Sequence, residues 1–350
     1  MPLSVAVVIP CYNEVKYIPA CLDSIIANDY DERYLKVIVV DGMSNDGTRK
    51  VLQEYATRHS FISIVDNPRR IKPVALNLGI RAAAGADVIM RIDAHAWYPS
   101  NYISGLVNGL VKYGADSIGG VRRTFEGTRL TEQAIGVVVS HPFAAGNATF
   151  RVGTPSVREV DSVFPGCYPR SVFERIGLFN ERLIRAQDRE FSFRLRAAGG
   201  KIILDPSVEC VYFPRTDLSA YARWTAIGGF WVFAAQRFSP IRLVSFRNWV
   251  PPAFVLLHFL VLALLFSIPP VAAVAGLPLC VYWALVFWFS ASAGRKRGRW
   301  SLAGVLLFLF PLTHYAYGLG GLAGFCCWIT SRGRIDSDVA APAGDLTISV

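Results

Sequence analysis

Three short clusters of polar side chains contain the residue types that chemistry needs. They lie at Pro10–Glu14, Asp41–Asp46 and Asp93–His95. A carboxylate followed two residues later by an imidazole, as in Asp93-Ala-His95, can hold a divalent cation, and such a cation can neutralise a diphosphate. Taken alone, an Asp-x-His triplet is common by chance, and a strand-end cap beside a solvated histidine is the simpler explanation.

The elements around these clusters decide between the two explanations. Apolar, β-branched runs predict buried strands over 5–9, 35–40, 62–65 and 87–92. Helical spacing predicts helices over 18–27, 46–59 and 73–84. Strands that alternate with helices predict a mostly parallel α/β sheet covered on both faces. Ligands bind beyond the carboxyl ends of such strands. All three clusters follow strand ends, and this coincidence favours a functional site.

Several function classes are disfavoured by what the chain lacks. No G-x-G-x-x-G follows the first strand and no G-x-x-x-x-G-K-[ST] occurs, which argues against dinucleotide binding and P-loop chemistry. The seven cysteines are irregularly spaced without a C-x-x-C pair, which argues against a zinc ribbon or a disulfide scaffold. With 53% hydrophobic and 18% charged residues, the chain is not a disordered one.

The last third of the chain has a membrane-like composition. No Asp, Glu, Lys or Arg occurs from Trp249 to Gly294 or from Trp300 to Ser331. The apolar runs 251–268, 271–293 and 302–329 are long enough to predict three transmembrane helices. The loop Arg295–Arg299 between the last two carries four basic residues, which favours a cytoplasmic position for that loop and for the N-terminal part.

These patterns predict four segments. Residues 1–218 form the catalytic domain, 219–249 an amphipathic interfacial segment, 250–331 the three transmembrane helices, and 332–350 a flexible tail. Residues 219–238 mix Trp and Phe with Arg, which is typical of a helix lying in a membrane interface. A surface helix of the soluble domain is the alternative for this segment.

Six motifs, in order along the chain, resemble the successive motifs of glycosyltransferase family 2. They are Val8–Glu14, Val39–Thr48, Ala75–Gly79, Arg91–His95, Gly177–Glu181 and Gln187–Glu190. The Asp-Ala-His triplet, the stretch Pro142–Asn147 and the three terminal helices are most similar to the ExoA type, the membrane-associated sugar transferases of bacterial exopolysaccharide assembly. The resemblance covers about residues 4–235 and implies the GT-A fold, a nucleotide-binding α/β domain.

The resemblance implies a donor side and a metal. Its donor-binding residues are Pro10, Tyr12, Asn13, Glu14, Asp41, Arg69, Lys72, Asn77 and Asp93. Asp93 and His95 are the implied ligands of Mn²⁺ or Mg²⁺, and His95 replaces the usual second Asp of D-x-D. Imidazole suits Mn²⁺ at least as well as Mg²⁺. Many family members carry a second acid where Gly42 follows Asp41, so the nucleobase stays open.

The resemblance also implies a catalytic base and an acceptor side. Asp188 occupies the base position, and a helix N-cap before 191–198 is the structural alternative for it. Glu190 and Arg194 are expected to form a structural ion pair. The implied acceptor-side residues are Gly166, Cys167, Tyr168, Gln187, Arg223 and Trp224. Ala220 stands where processive synthases carry the Gln of Q-x-x-R-W, which counts against processive synthesis.

We therefore expect an inverting, metal-dependent enzyme that moves a sugar from a nucleotide diphosphate donor, UDP-hexose first, to a lipid-linked oligosaccharide. The expected acceptor is a polyprenyl-diphosphate-linked glycan at the cytoplasmic side of a bacterial inner membrane. Other exopolysaccharide assembly enzymes are possible partners, and nucleic acid is not expected. A processive polysaccharide synthase and a catalytically inactive membrane scaffold are the two alternatives. The donor sugar, the acceptor glycan and the linkage stay open.

Overall fold

The computed structural model describes residues 2–146, 148–214 and 217–330, so the predicted tail at 332–350 lies outside the described residues. The described chain divides into two units. Among the described residues, the first contains 2–123 and 148–213, and the second contains 124–146, 214 and 217–330. The sequence placed 124–147 with the catalytic domain, whereas the structure groups it with the C-terminal helices.

The first unit is built on one mixed sheet. Its strands are β1 (Val5–Cys11), β2 (Leu35–Asp41), β3 (Ile62–Asp66), β4 (Val88–Arg91), β5 (Ala96–Trp97), β6 (Ser117–Thr124), β7 (Arg158–Glu159), β8 (Gly166–Pro169) and β9 (Ile202–Tyr212). Their order is β3-β2-β1-β4-β8-β6-β9-β5, with β7 also paired to β9. The four strands predicted from the sequence are present, each within two residues of its predicted bounds.

The sheet is parallel on one side and antiparallel on the other. β1 pairs in parallel with β2 and β4, and β2 pairs in parallel with β3. β8 pairs antiparallel with β4 and β6, and β9 pairs antiparallel with β5 and β7. The prediction of a mostly parallel sheet therefore holds for β1 to β4, and the sheet as a whole is mixed.

Helices cover both faces of this sheet. The first unit contains α1 (Ile18–Ile26), α2 (Thr48–Arg58), α3 (Lys72–Ala82) and α4 (Tyr102–Tyr113), and later α7 (Thr149–Val152), α8 (Arg170–Ile176) and α9 (Gln187–Ala197). The side chains of β1 alternate between two cores: Val5, Val7 and Ile9 join one cluster, and Ala6 and Val8 join the other. A strand buried on both faces lacks polar alternation, which is why its sequence is continuously apolar.

The second unit contains the long apolar helices. Its helices are α5 (Leu130–Ser140), α6 (Pro142–Ala145), α10 (Leu218–Ala234), α11 (Val250–Ser267), α12 (Pro269–Lys296) and α13 (Trp300–Thr330). Among the described residues, three helical segments are long and apolar enough to cross a membrane: Phe246–Ser267, Pro269–Lys296 and Trp300–Thr330. Large apolar side chains such as Phe259, Phe266 and Trp288 are exposed on them, as expected of helices that face lipid.

Helix α10 packs closely against α13. A Cβ atom built at Gly320 would lie 1.9 Å from the carbonyl oxygen of Ala226, and one built at Gly229 would lie 2.1 Å from that of Tyr317. Only glycine lets two helix backbones approach so closely, and small residues at such contacts are typical of helices that associate in membranes. The segment predicted to be interfacial therefore contains a helix packed along the third candidate membrane span.

Candidate active site

Asp93 lies just past the end of β4 and is held from several directions. Lys72 Nζ lies 2.8 Å from its Oδ1, and Arg91 Nη2 lies 3.5 Å from the same oxygen. The backbone amide of Asp93 donates to the hydroxyl oxygen of Tyr98, which donates in turn to the backbone carbonyl of Asp93. Burial raises the pKa of Asp93, but the charges of Lys72 and Arg91 outweigh burial and hold the pKa well below its usual range.

Arg91 connects this carboxylate to a second one. Its Nη1 lies 2.8 Å from Asp188 Oδ1, while its Nη2 faces Asp93. The Arg91 side chain is 3% exposed and the Asp188 side chain is 27% exposed, so Asp188 is the carboxylate that solvent reaches. One buried cation therefore fixes the spacing of the two carboxylates predicted to act in donor binding and in base catalysis.

Asp188 lies in the first turn of α9, which begins at Gln187. The residue before the helix is Ala186, with a positive φ of 64°, so Asp188 is not the N-cap. The Nε2 group of the buried Gln187 donates to Asp188 Oδ2 at 3.3 Å. The predicted structural ion pair between Glu190 and Arg194 forms, with Arg194 Nε donating to Glu190 Oε1 at 2.9 Å.

His95 is buried, and both of its ring nitrogens have protein partners. Nδ1 lies 2.9 Å from Glu14 Oε1, and Nε2 lies 3.1 Å from the Tyr212 hydroxyl. Burial lowers the pKa of His95, but the contacts with Tyr212 and Glu14 and the charge of Asp93 outweigh burial and raise the pKa to about 9. His95 thus ties the loop after β1 to the end of β9.

These contacts decide how well a divalent cation fits the predicted ligand pair. No group of three or more His, Cys, Asp or Glu side chains suited to a metal occurs in the part of the chain that the structure describes. Asp93 fits, because a hard cation takes one or two carboxylates and completes its shell with substrate phosphates and water. His95 does not fit, because a metal needs a free imidazole lone pair and both ring nitrogens are engaged.

The loops after β1 and β2 interlock on the predicted donor side. The backbone amide of Asn13 donates to Ser44 Oγ at 2.9 Å, and Ser44 Oγ donates to Asp41 Oδ1 at 2.6 Å. Arg49 Nη1 lies 3.3 Å from Asp41 Oδ2. Asp41 is only 1% exposed, so its carboxylate is buried beneath the loop and stabilises it through Ser44 and Arg49.

Tyr12 is the aromatic surface of this loop. Its ring lies 5.7 Å from the Arg70 guanidinium carbon. A Cβ atom built at Gly42 would lie 3.0 Å from Tyr12 Cδ2, so a second acid after Asp41 would crowd the ring. The Tyr12 ring therefore packs where a side chain at position 42 would lie.

Three predicted site residues make buried packing and hydrogen-bond contacts within the protein. Asn77, predicted to bind the donor, is buried, donates to the Phe179 carbonyl and accepts from the Phe179 amide. Cys167 and Tyr168, predicted to line the acceptor cleft, are 0% and 4% exposed. They belong to the two cores of the sheet because β8 is covered on both faces.

The remaining predicted residues are spread more widely. Arg69 pairs with Glu181 at 2.6 Å, which ties the loop before α3 to the loop before α9. Pro10 is part of β1, and Gly166 begins β8, where a Cβ atom would lie 2.3 Å from the Tyr168 hydroxyl oxygen. Arg223 and Trp224 lie on α10 in the second unit, so their acceptor-side role stays a prediction.

Sequence reasoning missed four residues of the site: Arg91, Arg122, Phe164 and Tyr212. The guanidinium carbons of Arg91 and Arg122 lie 4.3 Å and 5.4 Å from the centre of the Phe164 ring, and Lys72 Nζ lies 5.6 Å from it. Arg91 had a usable signal, because a charged residue inside a buried apolar strand needs a partner. Phe164 and Tyr212 had none.

Known proteins resemble this chain in sequence and in fold. Residues 6–158 match the family model "Glycosyl transferase family 2". The succinoglycan biosynthesis protein ExoA of Rhizobium meliloti (strain 1021) is 30% identical over 213 residues, which cover 61% of this chain and 64% of that protein. The match therefore spans just under two thirds of that relative's length.

Two further relatives extend the comparison. A dolichyl N-acetyl-alpha-D-glucosaminyl phosphate 3-beta-D-2,3-diacetamido-2,3-dideoxy-beta-D-glucuronosyltransferase of Methanococcus voltae is 26% identical over 63% of this chain and 70% of its own. A mannosyltransferase of Pyrobaculum calidifontis, solved in complex with GDP-Man and Mn²⁺, superposes with a TM-score of 0.53 at 22% identity, covering 95% of this chain and 87% of that one. The last likeness establishes a shared fold.

The family motifs, the mixed sheet and the strand-end carboxylates agree with one another. Residues 6–158 of this chain therefore form a glycosyl transferase family 2 domain, and the chain has the GT-A fold.

Proposed function

We propose that this protein transfers one sugar, with inversion at the anomeric carbon, from a nucleoside diphosphate donor to a lipid-linked oligosaccharide. UDP-hexose is the first candidate donor. The observation that carries the proposal is the Arg91 bridge, because it sets a donor-side carboxylate, Asp93, beside a more exposed carboxylate, Asp188. Inverting transfer needs positive charge near the departing diphosphate, which Lys72, Arg91 and a cation held by Asp93 would supply, and a carboxylate that accepts the acceptor's proton.

The reaction is a single displacement. Asp188 takes the proton from the acceptor hydroxyl as that oxygen attacks the anomeric carbon and the bond to the diphosphate breaks. Such base assistance contributes about 10²–10⁴-fold to the rate. Lys72 and Arg91, both against Asp93, supply positive charge on the side where the diphosphate departs.

The proposal includes a divalent cation with Asp93 as its protein ligand. Asp93 would hold it together with donor phosphate oxygens, and when bound it would offset charge on the diphosphate. The Mn²⁺ in the structure of the Pyrobaculum calidifontis mannosyltransferase supports this part of the proposal. His95 would act beside the cation as a positioning residue that holds Glu14 and Tyr212.

The lipid-linked acceptor and the location rest on the second unit and on the relatives. The three candidate spans would keep the enzyme beside an acceptor that cannot leave the bilayer. Arg295, Lys296, Arg297 and Arg299 separate the last two spans and favour a cytoplasmic catalytic domain, in a bacterial inner membrane. The name of the Rhizobium meliloti relative refers to succinoglycan biosynthesis, and that of the Methanococcus voltae relative refers to a dolichyl-linked sugar phosphate. Both names support a lipid-linked or polysaccharide acceptor.

A nucleotide-release screen tests the proposal. Membranes that contain the full chain are incubated with UDP-, GDP- and TDP-sugars and with lipid-linked acceptors, and the freed nucleotide and the product mass are measured. We expect release of one nucleotide and a product enlarged by a single sugar. A ladder of products would indicate processive synthesis instead, and no release from any donor would indicate an inactive scaffold.

A further inference from the structure

Arg122 is a buried cation without a carboxylate partner. It projects from β6 and is 4% exposed. Its guanidinium carbon lies 4.2 Å from the centre of the Tyr212 ring and 5.4 Å from that of Phe164. Among the described residues, no carboxylate lies within 4.0 Å of it, and its Nε atom has no hydrogen-bond partner. A buried charge without a partner is strongly unfavourable, so such a group indicates a missing anion.

Arg91 adds unsatisfied donors to the same place. It is 2% exposed, and its Nε and Nη2 atoms also lack hydrogen-bond partners. Arg91, Arg122 and Lys72 all face the Phe164 ring. The carboxylates in contact with these three cations are Asp93 and Asp188, so the group around Phe164 has one cation in excess among the residues described.

We propose that Arg122, with Arg91 beside it, binds a carboxylate on the transferred sugar, so that the donor hexose is in its acidic form, a nucleotide-linked hexuronate. The inference rests on the proposed function. Lys72 and Asp93 account for the donor diphosphate, whereas Arg122 is the cation left unpaired. Arg91 also contacts Asp188, which places the group at the reacting sugar. A planar guanidinium matches a carboxylate through two parallel hydrogen bonds, and the flanking rings of Tyr212 and Phe164 reduce its access to water.

Donor binding to the full chain in detergent tests the inference. The probes are UDP-glucose with UDP-glucuronate, GDP-mannose with GDP-mannuronate, and UDP and GDP alone, measured by titration calorimetry. We expect one uronate to bind about 10- to 100-fold more tightly than its neutral partner, the range for a hydrogen bond between charged groups. Arg122→Gln should remove that preference and leave the affinity for the free nucleotide within a few-fold.

The neighbouring arginine supplies a matched control. Arg123 is exposed and pairs with Glu209 at 2.6 Å, so Arg123→Gln should keep the preference. Arg122→Lys keeps the charge but not the planar fork, and should retain a reduced preference. If Arg122→Gln fails to fold, the uronate preference of Arg122→Lys tests the inference instead.

Four results would overturn the inference. Equal affinity for uronate and neutral donors would remove its basis. An Arg122→Gln variant that keeps the uronate preference would assign Arg122 to packing alone. An equal loss for UDP or GDP alone would assign Arg122 to the diphosphate, and the proposed function would then stand without the inference. If no nucleotide binds at all, the proposed function itself is wrong, and the inference falls with it.

Discussion

The guanidinium of Arg91 lies 2.8 Å from the carboxylate of Asp188, and the Arg91 side chain is 3% exposed. Because its other terminal nitrogen lies 3.5 Å from Asp93, a shift of Arg91 would move both carboxylates. Arg91→Lys keeps the charge but cannot reach both acids, since lysine is a single point charge. We expect turnover to fall by about 10- to 100-fold, the size of effect that small misplacements produce.

Steady-state transfer assays check this result. Arg196→Lys is the control, because Arg196 forms an exposed ion pair with Asp161 at 2.7 Å away from these carboxylates' contacts. Arg196→Lys should transfer at the normal rate. Normal turnover of Arg91→Lys would mean that the bridge has no part in positioning Asp188.

His95 should matter for stability and not as a metal ligand. His95→Gln loses part of the contact with Glu14 and Tyr212, so we expect the free energy of unfolding to fall by about 1–3 kcal/mol. Mn²⁺ affinity, measured with UDP present, should stay within a few-fold, whereas Asp93→Asn should abolish it. EDTA should stop transfer and Mn²⁺ should restore it.

The substitution His95→Asp separates the two roles further. It would set a second carboxylate against the buried Glu14, so thermal unfolding should occur at a lower temperature than in His95→Gln. A stable His95→Asp variant with tighter metal binding would instead show that this position is a ligand position.

The contact of α10 with α13 depends on glycine. Gly320→Ala would bring a methyl group to 1.9 Å from the Ala226 carbonyl oxygen, so the helices must separate. We expect a loss of about 1–3 kcal/mol of stability in detergent, the usual cost of overpacking. Gly304→Ala on the same helix is the control, because nothing lies within 4 Å of its Cβ position. Equal melting temperatures for the two variants would contradict the close packing.

The orientation of the spans can be measured with single cysteines. In a background where Cys280, Cys326 and Cys327 are Ser, Ser267→Cys marks the α11–α12 turn and Ser301→Cys marks the end of the basic loop. An impermeant thiol reagent added to whole cells should label the first and spare the second. The reverse pattern would place the catalytic domain outside, away from cytoplasmic nucleotide sugars.

Much of the parallel half of the fold could be predicted because β1, β2 and β4 are largely buried on both faces and therefore mostly apolar. The antiparallel half could not, because β5 and β7 have two residues each and β8 has four. Such short strands carry no periodic signal, and their partners are chosen by tertiary packing.

The site was predicted in part for a similar reason. Spacing placed Asp93 and His95 correctly at a strand end, but spacing says nothing about where ring nitrogens point, and Glu14 and Tyr212 occupy those of His95. Asn77 lies in a family motif and Cys167 was implied by the resemblance, yet a resemblance does not separate a ligand contact from a packing contact. For α10, the aromatic pattern indicated an interface, while the partner helix could be found only in three dimensions.

Asp188→Asn tests the central claim most directly, because a general base acts on the acceptor and not on the donor. The variant keeps the side-chain shape in the first turn of α9, so UDP or GDP affinity and melting temperature should change little. Transfer should fall by about 10²-fold or more, since an amide cannot accept the hydroxyl proton. Glu190→Gln should instead lose stability, because Glu190 is buried against Arg194. Transfer by Asp188→Asn at a near-normal rate would contradict the assignment.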